Sequence, residues 1–495
     1  MIKAVQWIKN FIFGLFGVIL AGLFLCSVFT TCKVNSDEVI SYQMDLPFLH
    51  ILVLAGACAA GIFLYRKARV LFPAKYLCLI PGALLAVLVF LTQLWPKGDS
   101  YILLNMAEHI AEGNYQDFLP GGYLYNQPHQ IPLAYLFALL YRIFGDAFVF
   151  ICQGLNCIFI VGILFLLKNL YQKFSGEIPE AGFYLISFFF VPFFLYVTFV
   201  YGTLPGLFLA LAGCVQLVKY LESDKLLNAF LCIVCIVLAK MIKSNYLIFA
   251  VGFAAILLYD FIRKINLRHL AVTAALGISL IVSSRAVTAF TEHLTGITSE
   301  GGIPAVLFVT MGLQEGPSAP GWWNGFHDRI FVNSEFDPQE AARRGEKKLK
   351  ERLNVMKEDP AYAAVFFGKK ISSQWSEPTY ESLWIQQNRT SDTTPPAIIS
   401  KLFFAGGRLS EGYVFFCNLF QSFLYFFSLL FVIGKWKKVT IPELLLPVIF
   451  IGGFLFHILW EAKGQYTLPY CLCLLPMCVW GYGYLLEWLK RYKKS

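Results

Sequence analysis

Charged side chains are scarce in this chain: they make up 14% of its 495 residues, against 58% hydrophobic ones, and the mean hydropathy is +0.63. That excludes a soluble domain of this length, in which about a quarter of the residues carry charge. Strands of alternating polarity are missing, so helices are the way this backbone satisfies itself in lipid. No internal repeat appears, and no Gly-rich phosphate loop follows a strand. Neither a His-Glu-x-x-His zinc pattern nor a paired Asp-x-Asp is present, which removes two common metal signatures. The 13 cysteines, among them Cys26, Cys58, Cys78, Cys157, Cys235 and Cys473, fall mostly inside apolar runs and keep neither zinc-ligand nor disulfide spacing. They read as small core residues.

What is present is a series of long apolar runs. They lie at Phe11 to Phe29, Phe48 to Tyr65, Tyr76 to Leu94, Phe148 to Leu167, Ala181 to Tyr201 and Leu204 to Val218. The series continues at Leu226 to Ala239, Tyr246 to Tyr259, Leu270 to Phe290, Tyr413 to Ile433, Leu444 to Trp460 and Leu468 to Tyr484. At roughly 17 to 25 residues per crossing, the chain is expected to be an all-α, multi-pass cell-membrane protein with about twelve spans. The first run follows Lys3 and Lys9 but is too long for a cleaved signal and lacks a small-residue cleavage site, so it reads as a retained helix.

Basic residues near span ends are retained in the cytoplasm. Arg66-Lys67-Ala-Arg69, Lys168, Lys173, Lys219, Lys225, Arg263-Lys264, Lys435, Lys437-Lys438 and the terminal Lys490-Arg491 with Lys493-Lys494 all fall on one side in this count. Asp37, Glu38, Asp99, the segment from Thr291 to Glu411, and Glu461 then face outward. The net charge of +9 is mostly topological, with no argument for nucleic acid. The expected organisation is two membrane helices in 1–75, a core in 76–290 with a first outer loop at 95–146, an outer helical cap in 291–411, and further membrane helices in 412–495.

Lys240 and Lys243 run against the charge bias, on the outer side at helical spacing that puts them on one face. A cation at that depth costs roughly 2.5 to 3.5 kcal/mol at a helix centre and faces an anionic partner or a cavity unless it snorkels to the interface. In the outer segment, Met311-Gly-Leu-Gln-Glu and Gly321-Trp-Trp-Asn-Gly-Phe-His-Asp328 combine aromatics with amides, a mix suited to stacking on sugars and bonding hydroxyls, or to an ordinary packed loop. Asp337-Pro-Gln-Glu340 predicts a capped helix start, with Leu349, Leu353 and Met356 as its apolar stripe. Asp359-Pro360 predicts a second helix towards Trp375, with Tyr362, Val365 and Phe366 on one face. The charge run from Arg343 to Lys357 reads as a solvated face. His457 and Glu461, at i and i+4, are weak evidence for a metal.

Gly98-Asp99-Ser100 comes just after an apolar run, and the loop beyond it is dense in aromatics and amides. With Tyr101 to Glu112, Gly121-Gly-Tyr-Leu-Tyr-Asn-Gln-Pro-His-Gln130 and Leu140-Tyr-Arg-Ile-Phe-Gly145, it resembles the first outer loop of bacterial C-type membrane glycosyltransferases. More narrowly, it resembles the Firmicute proteins related to family 39 protein O-mannosyltransferases and aminoarabinose transferases. Lys240-Met-Ile-Lys-Ser-Asn-Tyr246, Met311-Gly-Leu-Gln-Glu and Trp460-Glu-Ala-Lys-Gly-Gln-Tyr-Thr-Leu-Pro-Tyr470 add to the likeness, which spans most of the chain from about Tyr76. It implies a polyprenyl-phosphate sugar donor, an envelope glycan, lipid or protein acceptor, transfer at the outer face, and an outer-loop Asp as general base.

Asp99 is not followed by Glu, as in the mannosyltransferases, whereas Asp37-Glu38 offers that pair one loop earlier. Gln465 stands where related chains often have Arg, leaving Lys463 as the phosphate-binding cation. The expected site is then Asp99 as base, with Tyr123, Tyr125, His129, Gln130, Lys240, Lys243, Asn245, Gln314, Trp322, Asn324, Glu461, Lys463 and Tyr466 around the substrates. Asp117 ranks second as base. Glu377 anchors the cap or positions the acceptor, Arg285 is expected to be paired, and Glu461 with Lys463 read equally as an interfacial ion pair. No cofactor is indicated; a divalent metal is compatible with the chemistry, and no residue pattern calls for one. The alternative reading is a transporter or flippase of a lipid-linked or hydrophilic substrate, which would call for two similar halves and helices broken at matching positions.

Overall fold

The computed structural model describes residues 2–65, 74–298, 301–387 and 408–492. The chain opens with α1 (Ile2–Phe29), the hairpin β1 (Thr30–Val34) and β2 (Ile40–Met44), α2 (Pro47–Tyr65) and α3 (Ala74–Thr92). There follow β3 (Trp95–Pro96), α4 (Asp99–Ala111), α5 (Tyr123–Asn126), α6 (Ile131–Phe144), α7 (Phe148–Gln172), α8 (Glu180–Ser187), α9 (Val191–Leu195), α10 (Thr203–Ser223), α11 (Leu226–Ile242), α12 (Leu247–Lys264) and α13 (Leu267–Thr295). The segment between α13 and the C-terminal helices holds α14 (Ala305–Gly312), α15 (Phe326–Asn333), α16 (Pro338–Glu358), α17 (Pro360–Trp375) and β4 (Gln386–Gln387). The chain then runs through α18 (Arg408–Lys435), α19 (Ile441–Leu459), α20 (Gly464–Cys473) and α21 (Leu475–Tyr492).

Among the described residues, seven helices are long and apolar enough to cross a membrane, and two bent pairs bring the number to nine if each is one span. The expected count of about twelve is not confirmed. Among the described residues the apolar stretches Pro47–Gly61, Tyr76–Thr92 and Leu226–Ile242 are shorter, and the runs through α8 and α9 and through α20 and α21 bend by 73° and 50°. Pro192 stands in the first turn of α9, where its missing N–H begins a helix more readily than it continues one. The expected first outer loop also carries more structure than its polarity suggests. Its later part is the apolar helix α6, which packs on α4 and continues through a short turn into α7.

Helix packing in lipid is driven by close contact rather than by water. α10 packs on α11, α18 on both α1 and α21, and α12 on α19. Gly481 shows how close these approaches are: a Cβ there would stand 1.9 Å from the Phe427 carbonyl oxygen. Ion pairs Lys173–Glu222 (2.7 Å), Lys435–Glu443 (2.6 Å) and Asp260 with Arg263 (2.9 Å) and Lys264 (3.0 Å) gather at one end of the bundle. The basic cluster Arg66-Lys67-Arg69 and the terminal Lys493-Lys494 lie outside the described residues.

The cap sits at the other end. Asp337 caps α16 by accepting from the N–H groups of Gln339 (2.8 Å) and Glu340 (3.3 Å), and Asp359 caps α17 through Tyr362 (2.9 Å). Leu349, Met356, Tyr362 and Phe366 pack together as expected. Leu353 and Val365 instead point outward, 48% and 56% exposed, because the contact seam between the two helices is narrower than their apolar stripes. Most of the basic run is solvated, but Arg352 lies 5.0 Å from both the Tyr362 and Phe366 rings and donates to the Leu313 carbonyl. The β1–β2 hairpin docks beneath the cap through Cys32 N–H to Ser376 O (3.0 Å) and Ile40 N–H to Ser318 O (3.1 Å).

Candidate functional site

Asp99 is the first residue of α4, and its carboxylate is exposed with no hydrogen bond or ion pair to another described residue. The residue before it, Gly98, has φ of 65°, a conformation glycine adopts without strain, and packs against Trp384. Three bonds fix this loop. The Lys97 N–H donates to Ile385 O (3.0 Å), β3 pairs antiparallel with β4, and the Ser100 hydroxyl donates to Val200 O.

Around Asp99 stand groups drawn from four separate segments. Its charge acts on Tyr123 and His129 of the first loop, Tyr201 before α10, Lys243 after α11, and Glu461 and Lys463 before α20 with Tyr466 in its first turn. The Lys243 ammonium lies 4.2 Å from the Tyr201 ring centre and 5.9 Å from that of Tyr466, and donates to Thr203 Oγ1 at 3.2 Å. Gln130 holds the Tyr201 hydroxyl. Lys463 forms an ion pair with Glu38 of the β1–β2 turn and sits 5.2 Å above the Trp384 ring, while Lys97 approaches the same ring at 4.7 Å. Tyr466 donates to Glu461 Oε2 at 3.3 Å and stacks on His457.

The two lysines are tuned in opposite directions. Burial lowers the Lys243 ammonium to about 7, and the nearby Asp99 only partly opposes this. Burial also acts against Lys463, but Glu38, Glu381, Glu461 and Asp99 together hold it above its usual range. Glu461 is raised to about 7 by burial, against the pull of Lys463. Glu381 is raised by burial as well, and its Oε2 has no hydrogen-bond partner among the described residues. Lys463 is thus a fixed charge, while Lys243 and Glu461 titrate near neutrality.

Other expected site residues fall elsewhere. Lys240 and Lys243 do not share a face, because α11 ends at Ile242 and Lys243 is extended (φ −150°, ψ 115°); Lys240 turns to Ser284 Oγ on α13. Tyr125 is buried against Phe331, with its hydroxyl on Phe336 O (3.1 Å), and ties the first loop to the cap. Trp322 is fully buried, its indole N–H on Ser373 Oγ (2.8 Å), and has no free ring face to offer a sugar. Asn324 caps the turn before α15 through the Phe326 N–H (2.9 Å) and the Glu315 carbonyl (3.2 Å). The Gln314 carbonyl receives the Gly321 N–H at 2.8 Å, and Asn245 is half-buried in the turn before α12.

Asp117 pairs with His109 Nδ1 (2.7 Å), a local bond within the loop. His457 and Glu461 lie on either side of the end of α19, and His457 faces the Glu461 backbone carbonyl at 3.4 Å. Arg285, expected to be paired, is exposed and has no partner among the described residues. Of Asp37 and Glu38, only Glu38 reaches the site, and Asp37 stays exposed in the turn. Among the described residues, no three His, Cys, Asp or Glu side chains are placed to hold a metal ion.

No family model, curated protein or solved structure matches this chain.

Sequence reasoning missed Tyr201, Lys97, Trp384 and Glu381. Glu377, expected to anchor the cap or position the acceptor, shapes the turn that carries Glu381. Its buried carboxylate accepts from Thr379 N–H (3.0 Å) and Glu381 N–H (2.7 Å). The one available signal was Gln374-Trp-Ser-Glu-Pro378, a polar string leading into Tyr380 and Glu381, whose φ values of 51° and 58° carry strain.

Proposed function

We propose that this protein is a membrane glycosyltransferase that moves a sugar from a polyprenyl-phosphate donor to a hydroxyl of a cell-envelope acceptor. The observation that carries the reading is an unpaired, accessible Asp99 carboxylate in the field of Lys243 and Lys463, at one end of an apolar helix bundle.

In this reading Asp99 takes the proton of the acceptor hydroxyl as its oxygen attacks the anomeric carbon. The bond from that carbon to the phosphate oxygen breaks, and polyprenyl phosphate leaves with the electron pair. Lys243, and behind it Lys463, stabilise the charge growing on the phosphate, as preorganised cations do where charge develops. Tyr123, Tyr201 and Tyr466 give aromatic and hydroxyl surface for the pyranose, and the long apolar helices give the isoprenoid a surface to lie on.

The bent helix pairs α8–α9 and α20–α21 favour a second reading as a transporter, where such breaks surround a substrate. The two pairs do not belong to repeated halves of the sequence, and the cap has no counterpart. Reconstituted protein separates the readings. The enzyme consumes a lipid-linked sugar offered on one face only and yields free polyprenyl phosphate; a flippase changes the side on which an intact lipid-linked sugar is found.

A further inference from the structure

At the end of the bundle away from the candidate site, an open groove of about 820 Å³ runs between α1 and α18. Its walls are Gly14, Gly17, Val18 and Ala21 from one helix and Leu429, Val432 and Ile433 from the other, with Trp436, Lys437 and Lys438 at its mouth. The groove is nearly all apolar along its length and cationic only at the end.

We propose that this groove holds an anionic phospholipid, with an acyl chain over a floor that Val18, Ala21 and Ile433 line and the phosphate beside Lys437 and Lys438. The basic residues near the mouth divide by role. Lys435 is committed to Glu443 (2.6 Å) and to the Phe174 carbonyl (3.0 Å), so its charge is spent inside the fold. Lys437 and Lys438 are exposed and have no partner among the described residues. Trp436 is 41% exposed beside them, where an indole marks the level of lipid headgroups. From Gly14 to Ala21 the floor extends about 10 Å at 1.5 Å per residue, most of the roughly 15 Å that one leaflet offers.

A second copy of the chain is the obvious rival, because small residues on a membrane helix often mark a dimer face. Here those positions are already used. A Cβ on Gly14 would lie 3.3 Å from the Trp436 ring, and one on Gly17 3.2 Å from Val432, so the glycines seat the chain's own α18. Paired lysines at a helix end attract anionic lipid and gain nothing from a neutral headgroup.

The test is native mass spectrometry of the purified full chain with phosphatidylglycerol and with phosphatidylcholine of the same acyl chains. Retention of phosphatidylglycerol alone is expected, and K437Q with K438Q weakens it about thirty-fold, the worth of two lysines near a charged surface. Ile433→Trp, which fills the groove while keeping the charge, should also reduce retention; both variants should keep the parent's thermal midpoint. Equal retention of the two lipids, indifference to the lysine pair, or a dimer that leaves when Ile433 is enlarged would each overturn the proposal.

Discussion

At the scale of single residues, the account turns on which lysine can lose its proton. Burial holds Lys243 near 7 by disfavouring its charge, so in the proposed reaction its hold on the donor phosphate should weaken as pH rises through that value. Above pH 7 the donor KM should climb towards tenfold per unit, and Lys243→Arg, which stays charged, should flatten that rise. A pH series of initial rates against donor concentration measures both. Lys463 behaves oppositely. It is enclosed by Glu38, Glu381 and Glu461, and Lys463→Met leaves buried carboxylates without their cation. Breaking a pair of this kind costs about 3 to 5 kcal/mol, so the variant should show a markedly lower thermal midpoint in detergent, with a smaller loss for Glu38→Gln. Equal midpoints for K463M and the parent would mean that the carboxylates are neutral in the folded chain.

At the scale of elements, helix starts were easier to read than helix faces. The caps at Asp337 and Asp359 follow from local chemistry, a short acceptor before proline, and both form as the sequence predicts. Asp337→Ala should cost about 1 kcal/mol and speed amide exchange in the first turn of α16, with α17 unchanged. Faster exchange in both helices would show that they open as one unit. Faces were harder because they depend on partners that the sequence does not name. Leu353 and Val365 have the right spacing but no helix opposite them, and the shared face expected of Lys240 and Lys243 disappears once α11 stops at Ile242.

At the scale of the whole molecule, hydropathy made the membrane class plain, but the count of about twelve full-length spans is not confirmed. Apolar length does not reveal a bend, and two of the expected runs are broken. The site was legible in part. Asp99, Lys243, Glu461, Lys463 and Tyr466 come together from three distant segments, and it was the resemblance of their motifs to the transferases, with the charge bias at Lys243, that pointed to them. Glu38, Glu381 and Trp384 could not be placed from sequence, because their link to Asp99 runs through the β1–β2 turn and the β3–β4 pair, contacts between segments hundreds of residues apart. Under the proposed function, Glu38→Gln should slow transfer, read as the initial rate of donor loss, even though the helices flanking it remain in place.

The most direct measurement is to offer the purified parent and Asp99→Asn a panel of undecaprenyl-phosphate sugars with an envelope acceptor and follow donor loss and product. The parent should consume one donor, and the variant, with an unchanged thermal midpoint, should turn it over about 10²- to 10⁴-fold more slowly, the span typical of a lost general base. Undiminished turnover by Asp99→Asn, or a well-folded parent that consumes none of the donors while carrying a lipid-linked sugar across a bilayer, would contradict the account.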